Sequence, residues 1–501
     1  MSLFVKKPLD QLLSQSGDSE KGLKRTLGPG NLVALGIGAI IGAGLFVRTA
    51  AAAGEAAGPA VVVSFIVAAV GCAFAGLCYA EFASMIPIAG SAYTYAYTTM
   101  GEIVAWIIGW ALVLEYALGA ATVSIAWSEY LNKLLDNAIP YSLSHSPLES
   151  FVKRVVDGKE TFLSTSEILN TDIIVHSGII NLPALLILTL LTLVLIKGTQ
   201  ESASLNAIIV FIKVSIVLIF IVLGWAYIRP ENYVPFTIPE GTVGHESFNE
   251  YGWGGVLGGA GIVFFAFIGF DAVSTAAQEA KNPKRDMPIG ILGSLVVCTI
   301  LYILFSHVLT GIANWEEFKT VGKEASVAYA IDHYMPGYSW LSSAVTVAIL
   351  AGFSSVILVM LLGQSRVFFS MANDGLLPKV FSELHPKFRT PYKSNLILLL
   401  FVGLFAGLIP GSMAGDLTSI GTLFAFVLVC AGVWILRVKN PEVKRAFKTP
   451  LVPLVPILGM IVCTAMIVFL DGYTIMVAGI WMLIGLVVYF TYSTKHSKLK
   501  N

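Results

Sequence analysis

The chain has 501 residues, of which 56% are hydrophobic and only 12% charged, with a mean hydropathy of +0.80. Soluble domains carry about 25% charged residues, so this composition excludes a soluble globular protein and points to a polytopic membrane protein. Lys and Arg total 31, matched by 31 Asp and Glu, and that neutrality gives no basis for nucleic acid as a partner.

The N-terminal stretch to about Leu27 is polar and charged, unlike the short apolar core and small-residue cleavage site of a signal peptide. After it, apolar runs of roughly 20 residues, the length that crosses a bilayer, recur near 30–49, 58–80, 103–126, 175–196, 207–228, 254–276, 290–312, 340–365, 394–410, 417–437, 453–470 and 474–492. An even number of spans puts both termini on one side. Of the Lys and Arg residues, 22 fall in the tails and the loops on that side, 8 in the opposite loops, and Lys213 lies within a span. The positive-inside rule therefore predicts a cell-membrane protein with both termini cytoplasmic. The longest external loop, 128–172, is polar with scattered charges and is expected to hold short surface helices. The five cysteines, Cys72, Cys78, Cys298, Cys430 and Cys463, show neither zinc-type spacing nor a disulfide framework.

Two spans depart from the ordinary pattern. The first carries Gly36, Gly38, Gly42 and Gly44 within GIGAIIGAG, although each glycine costs roughly 1 kcal/mol against alanine in a helix. The sixth carries Gly254, Gly255, Gly258, Gly259 and Gly261, then FFAFIGFD with Gly269 and Asp271. Gly38-xxx-Gly42 also fits a small-residue motif for close helix packing. Yet glycine-broken spans in corresponding positions of two halves point to a transporter with inverted repeats and a midplane site. A helix restarting near Gly44 would present the N–H groups of Ala43, Gly44 and Leu45 to a carboxylate. A helix stopping near Ala266 would leave the carbonyls of Phe265, Ala266 and Ile268 for an ammonium group. Together these ends would receive the α-carboxyl and α-amino groups of an amino acid.

The runs LKRTLG (Leu23 to Gly28), GIGAIIGAGLFV (Gly36 to Val47), AEFASMIPIAGSAYTY (Ala80 to Tyr95), FFAFIGFDAVSTAAQEAKNPKRDMPIGI (Phe264 to Ile291) and GQSRVFFSMANDGLLP (Gly363 to Pro378) occur in that order. They resemble the amino acid-polyamine-organocation permeases, in particular the cationic amino acid transporter branch. The resemblance implies an all-α membrane protein of about twelve transmembrane helices. Its fold would be a leucine-transporter-type five-plus-five inverted repeat with discontinuous helices 1 and 6. Residues 1–29 would be the N-terminal tail, 30–228 and 254–437 the two repeats, 453–492 two appended helices, and 493–501 the C-terminal tail. It further implies alternating access, with the substrate carboxylate on Gly42, Ala43 and Gly44, and its ammonium on the carbonyls of Ile40, Ile41, Phe265, Ala266 and Ile268. Two positions depart from the family pattern: Ala43 stands where many relatives have a hydroxyl residue, and Gln278 where an acid is frequent.

Intramembrane charge is expensive and commonly functional. Lys213 lies about six residues, roughly 9 Å, into the fifth span; it would either snorkel to the surface or act within the bundle. Relatives that do not use sodium resemble this chain in having a lysine here, which implies sodium-independent transport coupled to protons, or a fixed charge in an exchanger. Glu115 in the third span reads either as a structural acid or as the group attracting a cationic side chain. Asp271 reads as a cap on the restarting half-helix or as a substrate contact. Phe353 in the eighth span is expected to bound the side-chain pocket, where its bulk would admit small substrates, so the expected cargo is a cationic or small neutral L-amino acid. The chain has no HExxH, GxSxG or P-loop sequence, so an enzyme is not expected and no cofactor beyond a coupling proton is implied. An amino acid sensor using the same site, and a small accessory membrane subunit, remain compatible with the sequence.

Overall fold

The computed structural model describes residues 3–8, 25–42, 44–86, 88, 90–135, 138–148, 150–156, 159–164, 175–320, 326–468 and 472–499. Among them, eight helical runs are long and apolar enough to cross a membrane. Four shorter apolar helices, Pro29–Ile40, Leu182–Lys197, Tyr392–Leu408 and Leu454–Val468, accompany them. The chain is a helical membrane protein in which apolar side chains such as Phe211, Val222 and Leu400 remain exposed on the outer faces of the bundle.

Helix α1 (Pro29–Ile40) starts on Pro29, whose missing N–H would be unpaired there anyway. Helical structure resumes at Gly44 and continues with π-type turns to Ala57, beyond the expected end at residue 49. Gly58, at φ +60, then reverses the chain into α2 (Val61–Met85). A short helix α3 (Ser91–Thr99) precedes α4 (Glu102–Val113), a π turn at Leu114–Leu118, and α5 (Gly119–Leu134), which runs well past the expected end near residue 126.

The loop that follows corrects an expectation. It holds one short helix, α6 (Tyr141–Ser144), but also a three-stranded antiparallel sheet of β1 (Ser150–Val156), β2 (Lys159–Ser164) and β3 (Val175–Ser177), in the order β2-β1-β3. Phe151 pairs with Ser164 and with His176. The β-branched and aromatic residues of SFVKRVV and KETFLS favour strands.

The rest of the chain includes α7 (Leu182–Lys197), α8 (Thr199–Gly224), α9 (Gly252–Phe264), α10 (Pro283–Ile312), α11 (Ser339–Asn373), α12 (Tyr392–Leu408), α13 (Gly411–Lys439), α14 (Leu454–Val468) and α15 (Gly472–Val488). Asn181 caps α7 by accepting the Ala184 N–H at 3.1 Å. At the centre α1 packs against α8, α10 and α11, while α9 lies on α2. Both chain ends reach the same face of the bundle, where the Ile103 N–H donates to Leu3 O and the Lys498 N–H to Asp374 O. We refer to it as the terminal face.

Candidate functional site

The two glycine-rich spans are both interrupted, and the interruptions touch. Helix α1 stops at Ile40, Ile41 is extended (ψ 102), and the Leu45 N–H folds back onto Gly42 O at 3.2 Å. That bond removes Leu45 from the amides expected to face a carboxylate; Gly44 provides the first amide of the restarted helix. Ala43 lies outside the described residues. In the second interruption α9 tightens into a turn at Phe265–Phe267, Ile268 is extended, and Gly269 adopts φ +110, a conformation that disfavours any side chain. Helical turns resume at Asp271–Glu279.

The glycines make close approaches to different neighbours. A Cβ on Gly36 would lie 2.5 Å from Ser294 Cβ, and one on Gly38 2.9 Å from the Asn206 carboxamide carbon, so these two serve close packing. Gly44 abuts the second break, where a Cβ would overlap Ala266, and Gly42 abuts Val356. Tyr302 of α10 ties the breaks together, its hydroxyl lying 2.8 Å from both Ile40 O and Ala266 O. The sequence reading missed Tyr302; its only signal was an isolated polar tip in the apolar run VVCTILYILFS.

Beside the breaks lies a cavity of about 20 Å³, lined by Gly42, Gly44, Phe265, Ile268, Val356 and Met360 among others. That is room for about one water, so an amino acid would require the lining to move. The walls beyond the breaks come from Gly119, Val123, Val356, Met360 and Thr418, of which only Thr418 is polar. Phe353, expected in this lining, is instead buried about one turn away with its ring edge-on to Tyr130, at 5.5 Å between centroids. On the face opposite the termini, a cleft of about 550 Å³ is lined by Arg48, Glu55, His245, Glu250 and Lys319 among others. Phe265 belongs to both linings, and the Arg48 guanidinium lies 5.3 Å above its ring. One aromatic ring thus partitions cleft from cavity.

Lys213 does not snorkel. It is fully buried, and its ammonium donates to Gly38 O at 3.0 Å, Ile41 O at 2.7 Å and Ser355 Oγ at 2.8 Å. Its three protons are matched by three acceptors, two of them from the first break. Ile41 O is therefore engaged by lysine, Ile40 O and Ala266 O by Tyr302, and Phe265 O by the Ile268 N–H at 3.3 Å, leaving Ile268 of the expected carbonyls beside the cavity.

Glu115 lies in the π turn of the third span, a distortion that often marks functional positions. It is fully buried, and neither carboxyl oxygen accepts a hydrogen bond from a protein donor. The group it faces is another carboxyl, that of Asp271. Asp271 does not take the capping position, which belongs to Phe270; its Oδ2 accepts the Tyr116 hydroxyl at 2.6 Å. Neither acid lines the small cavity.

Toward the terminal face the two interrupted spans are sealed together. Leu27 and Ala280 form an isolated bridge, with the Lys281 N–H donating to Leu27 O at 2.8 Å. Arg366 holds the buried Glu279 at 2.8 Å, and Glu81 is held by Arg437 at 2.9 Å and Arg445 at 3.1 Å. Among the described residues no group of acids, cysteines and histidines is placed to hold a metal ion.

Comparison with known proteins agrees with this geometry. Residues 27–491 match the family described as amino acid permease. The chain is 42% identical over 501 residues to the branched-chain amino acid permease BcaP of Bacillus subtilis (strain 168), covering 99% of both chains. It is 39% identical to the methylthioribose transporter of the same organism, again over 99% of both. To the vacuolar cationic amino acid transporter 4 of Arabidopsis thaliana it is 33% identical, over 88% of this chain and 68% of that one.

Proposed function

The chain belongs to the amino acid permease family, and from that premise we propose that it is a secondary active transporter of L-amino acids working by alternating access. Its relatives are transporters and not enzymes. The observation that carries the reading is the contact between two interrupted helices, Gly44 against Ala266, with a small cavity beside it in the centre of the bundle. An amide at the start of one half-helix and carbonyls at the end of the other complement a carboxylate and an ammonium. In this reading twelve spans form a five-plus-five inverted repeat with two appended helices, and the terminal face is cytoplasmic.

For the side chain we favour an apolar substrate of small or branched aliphatic type. Val123, Val356 and Met360 offer dispersion contacts and no counter-charge, and Glu115 is turned to Asp271 and Tyr116. The name of the 42% identical relative, a branched-chain amino acid permease, supports this choice. A cationic substrate is the second reading; it would use Glu115 after the cavity widens, and the cationic transporter relatives favour it.

Lys213 supplies the coupling element. Its ammonium joins the end of α1, at the start of the first break, to α11, where a bound cation would otherwise be needed to hold the carbonyls of Gly38 and Ile41. Releasing the proton would loosen that bridge, which couples transport to protons and makes sodium unnecessary.

Uptake into proteoliposomes tests the proposal. Labelled leucine should accumulate without sodium, driven by an imposed pH gradient, and should exchange in counterflow. Valine and isoleucine should compete, and arginine should not. Strict sodium dependence would overturn the coupling, arginine as the best competitor would overturn the substrate class, and binding without accumulation would identify a receptor.

A further inference from the structure

Both ends of the chain fold back onto one helix. Residues 3–8 run along the junction of α3 and α4: the Ile103 N–H donates to Leu3 O at 3.2 Å, the Glu102 N–H to Val5 O at 3.0 Å, and the Lys7 N–H to Tyr97 O at 3.2 Å. Gly101, at φ +105, permits that approach, since a Cβ there would lie 2.7 Å from the Phe4 backbone. The Lys7 ammonium is buried in an ion pair with Asp374, whose other oxygen accepts the Tyr93 hydroxyl of α3 at 2.8 Å.

The C-terminal end reaches the same two acids. The Lys498 N–H donates to Asp374 O at 3.1 Å, and the Ser497 hydroxyl donates to Glu102. Glu102 also receives the hydroxyls of Tyr489 at 2.9 Å and of Tyr97 in α3 at 2.8 Å. Each carboxylate therefore joins α3 to one end of the chain, Asp374 to the N-terminal end and Glu102 to the C-terminal end, while the backbone of the same residue bonds the other end.

Helix α3 in turn touches the moving part of the proposed cycle. Ser274, in the half-helix restarting after the second break, donates to Ser91 Oγ at 2.8 Å. Ser91 begins α3 with φ +48, a backbone region that non-glycine residues enter only when their surroundings over-determine it.

We infer that the two chain ends form a clasp on the terminal face, which holds α3 against the restarted half of the sixth span and sets how readily the pathway opens there. The inference rests on the alternating-access reading. Breaking either end's hold lowers the barrier to opening on this side, because α3 then relaxes away from Ser274. Removing the Lys7 charge has the larger effect, since it leaves Asp374 buried without its counter-ion.

The test reads exposure directly. All five native cysteines are buried, so a cysteine introduced at the buried Ala277 of the restarted half-helix reports access by a membrane-impermeant maleimide applied to the terminal face. Relative to Ala277→Cys alone, adding Lys7→Met should raise the labelling rate about tenfold, adding Ser497→Ala about threefold, and adding Lys7→Arg little. Ser497→Ala carries the test by itself should Lys7→Met not yield monodisperse protein. Unchanged labelling in folded, transport-competent protein overturns the clasp. Increased labelling in a chain that binds but never accumulates amino acid overturns the transport reading and leaves the clasp standing.

Discussion

Among the ionisable side chains buried in the bundle, Lys213 and Glu115 are treated in opposite ways. Lys213 is saturated: three acceptors surround three protons, and the cation joins α8 to the end of α1 and to α11. Glu115 is poorly served: among the described residues no donor makes a well-formed hydrogen bond to its carboxyl, and its polar neighbours are the Thr422 hydroxyl and a second acid, Asp271. The difference teaches that the lysine is part of the frame around the first break, while the two acids, with Tyr116 bonded to Asp271, add no ion pair to that frame.

The largest expected effect follows from removing the frame. Lys213→Met leaves Gly38 O, Ile41 O and Ser355 Oγ without the ammonium, and hydrogen bonds to a charged group are worth about 1.5–3 kcal/mol each. Uptake should fall by more than about 100-fold, with a lowered melting temperature in detergent. Retained uptake would break the comparison, because the lysine would then be dispensable to the break it bridges.

A smaller loss is expected from Tyr302→Phe. The change removes one neutral hydroxyl between Ile40 O and Ala266 O and keeps the packed ring. A neutral hydrogen bond is worth about 1 kcal/mol, so substrate affinity measured by competition should weaken roughly five- to tenfold while the melting temperature changes little. A loss as deep as that of Lys213→Met would place Tyr302 in the frame as well.

The smallest effect on stability should come from Glu115→Gln. A carboxamide keeps the size of the acid and supplies a donor toward Asp271, so the melting temperature should stay within about 2 °C of the parent. A marked drop would mean that Glu115 is ionised and structural, which would erase the contrast with Lys213. Transport separates the two substrate readings: arginine uptake lost while alanine uptake survives would assign Glu115 to selecting a cationic side chain.

Much of this architecture was legible in the residues. Apolar runs located the helices, and glycine clusters located both interruptions, at Gly42 and Gly44 and at Gly269. The same reasoning placed Lys213 inside the bundle but could not show what it binds, and it put Phe353 in a pocket that Val356 and Met360 line instead. On an eighth span apolar all round, composition does not reveal which face is inward. The strands at Ser150–Val156, Lys159–Ser164 and Val175–Ser177 escaped notice because charges interrupt their alternation, in a loop expected to hold short surface helices.

By itself, then, the sequence determined what depends on local chemistry: a chain too apolar for water, cut into spans by length, and broken where glycine concentrates beside a buried charge. Only the tertiary structure decided which polar groups meet. Tyr116 finds Asp271 across 155 residues, Lys213 finds Ile41 across 172, Tyr302 finds Ile40 across 262, and Lys7 finds Asp374 across 367. Such meetings depend on how a dozen or so helices pack, and the packing is fixed by the summed fit of their surfaces, which no single stretch of residues contains.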